Sequence, residues 1–303
     1  MAMESKLASI VISRQDELTG MDLPVGVELD HYATALGTEV KGLDLTKPLG
    51  NIGTFLRALW LKRKVLFFHD QSITPEQHVG LARCFGKLEV FPRDPRNTLE
   101  GGPEELQVFR RGKQNVGRED VFHADLPFSD PPIAGTFAML REVPRYGGDT
   151  LFVDMGAAYR GLSDWLKRGI VGLRAEHRFE IITHFYNRGM PKEHTERMMA
   201  KFPPRDFPIV QRHPETGEQI LYVMLGYTSE ILGLERDEGF ILLKMLADQA
   251  RRPEYQCRFR WRKDSMVLWD NRAVQHYACY DYGDQYRELH RAVILGERCW
   301  PQA

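Results

Sequence analysis

Short apolar runs and longer amphipathic stretches alternate along most of this chain. Runs suited to strands cover Lys64–Phe68, Thr136–Leu140, Thr150–Val153, Ile220–Val223, Ser265–Trp269 and Arg291–Leu295, most of them bracketed by Gly, Pro or Asp. Apolar spacing near 3.6 predicts helices over Thr54–Lys64, Pro75–Phe85, Ala157–Arg168, Lys192–Lys201 and Asp237–Ala250. The second has the clearest boundaries: Thr74 can cap it, Pro75 suits the first helical position, Gln77 completes a capping box, and Gly86 can end it. Strands and helices do not alternate as regular βαβ units, and neither GxGxxG nor GxxxxGK occurs, which points away from a nucleotide-binding doubly wound sheet. The pattern predicts a mainly β protein with peripheral helices, an antiparallel double-sheet roll.

Composition narrows the class of function. With 303 residues, 43% hydrophobic and 11% aromatic, the chain can fill one large core, and no repeat or Pro/Gly/Ser-rich linker divides it. The expected organisation is a loosely ordered leader over residues 1–22 and one domain over 23–303. Lys+Arg 41 against Asp+Glu 42 leaves a net charge of −1, which gives no bulk field for nucleic acid or an acidic membrane surface. The first twenty residues carry early acids and no signal-like apolar stretch, and no segment approaches the ~18 apolar residues of a membrane span. Cys84, Cys257, Cys279 and Cys299 are scattered without a CxxC pair, as expected for reduced thiols in a cytoplasmic protein. The expected partner is a small molecule, and a homo-oligomer is compatible with the sequence.

Three segments could carry chemistry. In Phe122-His123-Ala124-Asp125, extended backbone would point His123 and Asp125 the same way, roughly 6.5–7 Å apart at Cα, so both could reach one metal ion. In isolation His-x-Asp is more often a surface turn. The run Leu268–His276 ends a strand in a polar turn and delivers His276, completing a two-histidine, one-carboxylate set that suits non-haem Fe(II) and leaves coordination positions open. On a strand, Arg287 and Arg291 would share a face about 13 Å apart and serve two separate anions, whereas His290 has the opposite parity and faces away. The alternative for the arginines is a solvated helix face.

The sequence resembles the taurine/2-oxoglutarate dioxygenase family, which includes the 2,4-dichlorophenoxyacetate dioxygenases, from about Gly26 to Gly296. The resemblance is carried by Gly42–Leu49, Asp70–Gln77, Phe122–Phe128, Gly147–Leu151, Trp269–His276 and Arg287–Arg291. It implies a double-stranded β-helix, a jelly roll of the clavaminate synthase-like type. It also implies an Fe(II)- and 2-oxoglutarate-dependent dioxygenase that uses O2 and releases succinate and CO2. On this resemblance His123, Asp125 and His276 are the iron ligands, Thr150 and Arg287 grip the far carboxylate of 2-oxoglutarate, and Arg291 grips an anionic group of the prime substrate. Retention of Asp125, where related halogenases have Gly or Ala, implies hydroxylation, desaturation or oxygen insertion rather than halogenation.

The resemblance departs from the taurine-oxidising pattern in the substrate pocket. Phe91 and Asp94 fall where that enzyme has a His and a Tyr, and Glu119 falls near its Asn. Phe122 replaces the usual Trp before the first ligand, and with Phe91 and Phe128 it suggests an apolar pocket. The expected substrate is an anion on a larger apolar body, such as a carboxylic acid natural product of secondary metabolism. Alternatives are a sulfonate, a sulfate ester or an aryloxyalkanoate in catabolism. The segment from about Arg93 to Gly117, rich in Gly, Pro, Arg and Asn, reads as a lid over the site or as a surface loop. A non-catalytic binding protein of the same fold is disfavoured because all three ligands are present. A zinc hydrolase would leave Thr150 and Arg287 without a role.

Overall fold

The computed structural model describes residues 12–91, 97–112, 120–181 and 192–296. Its main sheet has seven strands in the order Glu28–His31, Thr38–Lys41, Val65–Phe68, Ser265–Asp270, Ile133–Glu142, Arg287–Leu295 and Leu106–Arg111. A three-stranded sheet of Gln256–Phe259, Thr150–Asp154 and Val274–Ala278 packs against it. All neighbours are antiparallel except Thr38–Lys41 with Val65–Phe68. That parallel pair needs a crossover, and the helix Ile52–Arg63 lies in it.

Both faces of the main sheet are covered, so its central strands are almost wholly apolar yet still alternate. Val65, Phe67, Ala138, Leu140, Val267 and Trp269 face the small sheet, where Phe67 stacks on Phe259 with ring centroids 4.3 Å apart. Their neighbours Leu66, Phe68, Met139, Met266 and Leu268 face the other way, onto a core shared with the helices Ile52–Arg63 and Pro75–Arg83. Two-sided burial replaces the polar/apolar alternation of a half-exposed sheet with continuous runs, which is why the sequence shows these strands so plainly. Arg287–Leu295 keeps the same parity: Val293 and Leu289 turn inward, Ala292 and Ile294 outward.

The helix over Pro75–Arg83 has the expected start, with Gln77 N donating to Thr74 Oγ1 and Gln77 Oε1 accepting from Thr74 N. The single helix expected over Ala157–Arg168 is two. Met155–Arg160 is capped by Asp154, ends at Gly161, and is followed by Asp164–Ile170, started by the Ser163 hydroxyl accepting from Leu166 N. Part of the expected leader is tied down. Ile12–Gln15 pairs with Asp22–Pro24, and Asp16 holds Thr19 and His31 through its carboxylate. Within the segment expected as a lid or a surface loop, part of which lies outside the described residues, Leu106–Arg111 is instead the edge strand of the main sheet, paired along its length with Arg287–Ala292. Among the described residues no helix is long and apolar enough to cross a membrane, and Cys84, Cys257 and Cys279 are free.

Candidate metal centre

Three elements converge between the sheets. Ser265–Asp270 belongs to the large sheet and Val274–Ala278 to the small one, so the chain changes sheet in the turn Asn271–Ala273 and brings His276 to the interior. His123 pairs with His276 as an isolated antiparallel bridge, each amide donating to the other's carbonyl at 3.0 and 2.8 Å. Residues opposite each other in such a bridge share a side of the ladder, and the two imidazole centroids lie 4.2 Å apart. Asp125 completes the group: ligand atoms of His123, Asp125 and His276 all lie within 4.8 Å of one another, and all three residues are buried.

The protonation states suit a cation. His123 Nδ1 donates to the Val121 carbonyl at 2.7 Å, which leaves Nε2 with its lone pair free to ligate. Burial, with His123 nearby, pushes the His276 pKa down to about 3 against the opposing pull of Asp125, so that ring is neutral, and its buried Nδ1 has no hydrogen-bond partner. Burial alone would raise the Asp125 carboxyl, but Arg291, His276 and His123, with a hydrogen bond from Thr136, hold it down at about 2. Two imidazoles and one carboxylate form the donor set expected for non-haem iron.

Four contacts hold Asp125. Thr136 Oγ1 donates to Oδ2 at 2.6 Å and Arg291 Nη1 donates to Oδ1 at 2.6 Å. Asn271 clamps the backbone, accepting from Asp125 N at 2.8 Å and donating to Asp125 O at 2.7 Å. Beside Asn271, buried Asp270 accepts from His213 Nε2 at 3.0 Å and from Arg272 Nε and Nη2 at 2.8 and 2.6 Å. Arg272 extends the network to Glu215, which also pairs with Arg57. Sequence reasoning missed Thr136 and Asn271. The signals were a lone hydroxyl in an apolar strand and an Asn at the turn that delivers His276.

The other candidate residues fall in two groups around this centre. Thr150 Oγ1 accepts from Trp261 Nε1 at 2.9 Å, and the Arg287 guanidinium lies 5.9 Å from the Trp261 ring, so both expected cosubstrate residues meet at one indole. Arg291 is flanked by the rings of Phe91 at 6.0 Å and Phe109 at 4.6 Å. Phe128 is fully buried, one ring away from the metal residues: its partner Tyr227 packs 5.9 Å from His123. Phe122 does not join that apolar group. Its ring packs on Tyr277 at 5.3 Å and belongs to a separate core, because adjacent residues of an extended segment point to opposite sides. His290 turns outward to Glu288, as its parity predicts. Asp94 and Glu119 lie outside the described residues.

Residues 28–293 match the taurine catabolism dioxygenase TauD, TfdA family. The chain belongs to this family. It is 31% identical to an alkylsulfatase of Acinetobacter baylyi, over 89% of this chain and 86% of that protein. It is 33% identical to the alpha-ketoglutarate-dependent 2,4-dichlorophenoxyacetate dioxygenase of a Burkholderia species, over 78% and 84%. Its fold superposes on a taurine dioxygenase from Burkholderia xenovorans with a TM-score of 0.75, at 30% identity over 90% of each chain. This TauD/TfdA chain is an alpha-ketoglutarate-dependent dioxygenase, and Fe(II), 2-oxoglutarate and O2, expected from its sequence, are the reactants and metal of that family.

Proposed function

We propose that the enzyme oxidises a small anionic molecule with a largely apolar body, consuming 2-oxoglutarate and O2 and releasing succinate and CO2. The observation that carries this reading is the buried convergence of His123, Asp125 and His276. These residues would hold Fe(II), which supplies the redox chemistry when bound. Their combined charge of −1 leaves room for an anionic cosubstrate to approach a divalent ion. The two facing sheets with the site between them support a double-stranded β-helix as the architecture.

Thr150 and Arg287 take the distal carboxylate of 2-oxoglutarate. A buried guanidinium binds a carboxylate bidentately, and the indole of Trp261 fixes Thr150 beside it. Arg291 anchors the prime substrate. It donates to Asp125 Oδ1, and the rings of Phe91 and Phe109 give a bound anion an apolar flank. Phe128, Asp94 and Glu119 are the remaining expected contributors to substrate choice. The alkylsulfatase and phenoxyacetate relatives favour a sulfate ester or an aryloxyalkanoate as the second reading of the substrate.

The test is 2-oxoglutarate-dependent succinate release with Fe(II) and ascorbate over a panel of sulfate esters, sulfonates, aryloxyalkanoates and natural-product carboxylic acids. Turnover coupled to one of these supports the proposal. Failure of the whole panel, with no binding of 2-oxoglutarate to the metal-loaded protein, would favour a binding protein of the same fold.

A further inference from the structure

Three inward side chains of Arg287–Leu295 stand opposite side chains of the edge strand Leu106–Arg111. Arg287 stands directly opposite Arg111, Leu289 opposite Phe109, and Arg291 opposite Gln107. The last pair is closed by Arg291 Nε donating to Gln107 Oε1 at 2.9 Å. The first pair sets two guanidinium-bearing residues side by side on one face. Like charges directly opposite in an antiparallel ladder repel, and among the described residues no carboxylate pairs with Arg111.

Both arginines line one cavity, together with Phe109, Leu289, Cys279 and Tyr282. None of the other walls supplies a negative charge. Burial and the nearby Tyr280 raise the Tyr282 hydroxyl, outweighing Arg287 and Arg111, and burial raises the Cys279 thiol, so both stay protonated at neutral pH. The acids that act on Cys279 are engaged elsewhere, Asp281 accepting from Gly148 N and Asp149 from Arg258 Nε, and Glu288 faces outward to His290 and Arg110. A cavity whose described lining holds two arginines and no carboxylate suits an anion.

We propose that Arg111 is a second cationic contact for the distal carboxylate of 2-oxoglutarate, reaching it from the strand opposite Arg287. The inference rests on the reading of Arg287 as the cosubstrate residue. A carboxylate offers two oxygens and about four lone-pair positions, enough for one guanidinium on each side. Arg111 then has a specific consequence: it makes the pocket select a dicarboxylic 2-oxo acid over a monocarboxylic one of similar size.

The experiment is anaerobic calorimetry on Mn(II)-loaded wild type, Arg111→Gln, Arg111→Lys and Arg287→Gln, titrated with 2-oxoglutarate and separately with 2-oxobutyrate. Arg111→Gln should weaken 2-oxoglutarate about tenfold, the scale of one charge-assisted contact partly screened by water. Arg111→Lys should fall between it and wild type, and 2-oxobutyrate should be unaffected by either. Without ligand, Arg111→Gln should melt no lower than wild type, because its removal relieves repulsion, whereas loss of a merely structural residue would lower the melting temperature. If Arg111→Gln binds 2-oxoglutarate like wild type while Arg287→Gln does not, Arg111 has no such role and the reading of Arg287 stands. Equal weakening of both ligands would also overturn the role of Arg111. If Arg287→Gln binds 2-oxoglutarate as wild type does, the cosubstrate reading itself fails.

Discussion

Asn271 grips the backbone of Asp125 from both sides, accepting from its amide and donating to its carbonyl at 2.8 and 2.7 Å. The residues are 146 positions apart, and the clamp ties the turn that delivers His276 to the segment that carries His123 and Asp125. Asn271→Ala leaves two buried backbone groups unsatisfied, at ~1–3 kcal/mol each. Metal affinity should fall roughly 10–100-fold, as for other losses of groups that orient ligands. Mn(II) titration of the variant checks this; wild-type affinity would show that Asp125 is placed without the clamp.

Asp270 lies beside Asn271 and is 1% exposed, neutralising buried Arg272. Asp270→Asn removes the charge and leaves Arg272 with Glu215 alone. Breaking one side of a buried pair costs ~3–5 kcal/mol, more than the pair itself contributes over an apolar replacement. Urea unfolding of the variant should show this loss, and the double variant Asp270→Asn, Arg272→Met should recover part of it.

Buried histidines set the acid limit of stability. Burial holds the pKa of His78 and of His177 at about 3 in the folded state, against ~6.5 when unfolded. A depressed histidine keeps its proton off in the fold, so unfolding takes up protons once the pH drops below about 6.5. Stability should therefore fall from that pH toward 3, with a limiting slope of ~1.4 kcal/mol per pH unit for each histidine. The depressed carboxyls Asp125 and Asp270 act in the same direction only below about pH 4. Unfolding free energies of metal-free protein at pH 7 and 5 measure the effect, and His78→Gln should flatten it.

The two arginines on Arg287–Leu295 should separate kinetically. Arg287→Ala should raise the KM for 2-oxoglutarate, and Arg291→Ala should raise the KM for the prime substrate, each by roughly 10–100-fold for a lost charge-assisted contact. Lysine at either position should rescue poorly, since it lacks the planar fork. An unchanged substrate KM in Arg291→Ala would remove that residue from substrate anchoring.

Legibility in the sequence followed burial. Ser265–Asp270 and Ile133–Glu142 are covered on both faces, so continuous apolar runs announce them. Leu106–Arg111 was hidden because one edge strand carries Gln107 toward Arg291, Arg111 into a cavity, and Arg110 to Glu288 on its other face. Its polar and charged positions mask the sheet it joins. Gln256–Phe259 is obscured likewise, by Arg258 reaching out to Asp149. The convergence of His123, Asp125 and His276 was legible because their chemical types, taken together, form a recognisable donor set. Thr136 and Asn271 were not, since a threonine in a strand and an asparagine in a turn gain meaning only from a carboxylate that folding brings to them.

The central claim is that His123, Asp125 and His276 bind one ferrous ion together. Anaerobic titration of the metal-free protein with Fe(II), followed by 2-oxoglutarate, tests it most directly. The account predicts one ion per chain and a visible charge-transfer band on adding the oxo acid, both lost in Asp125→Ala and His276→Ala. A wild-type protein that takes up no ion, or an Asp125→Ala, His276→Ala double variant that keeps stoichiometric binding and the band, would contradict it.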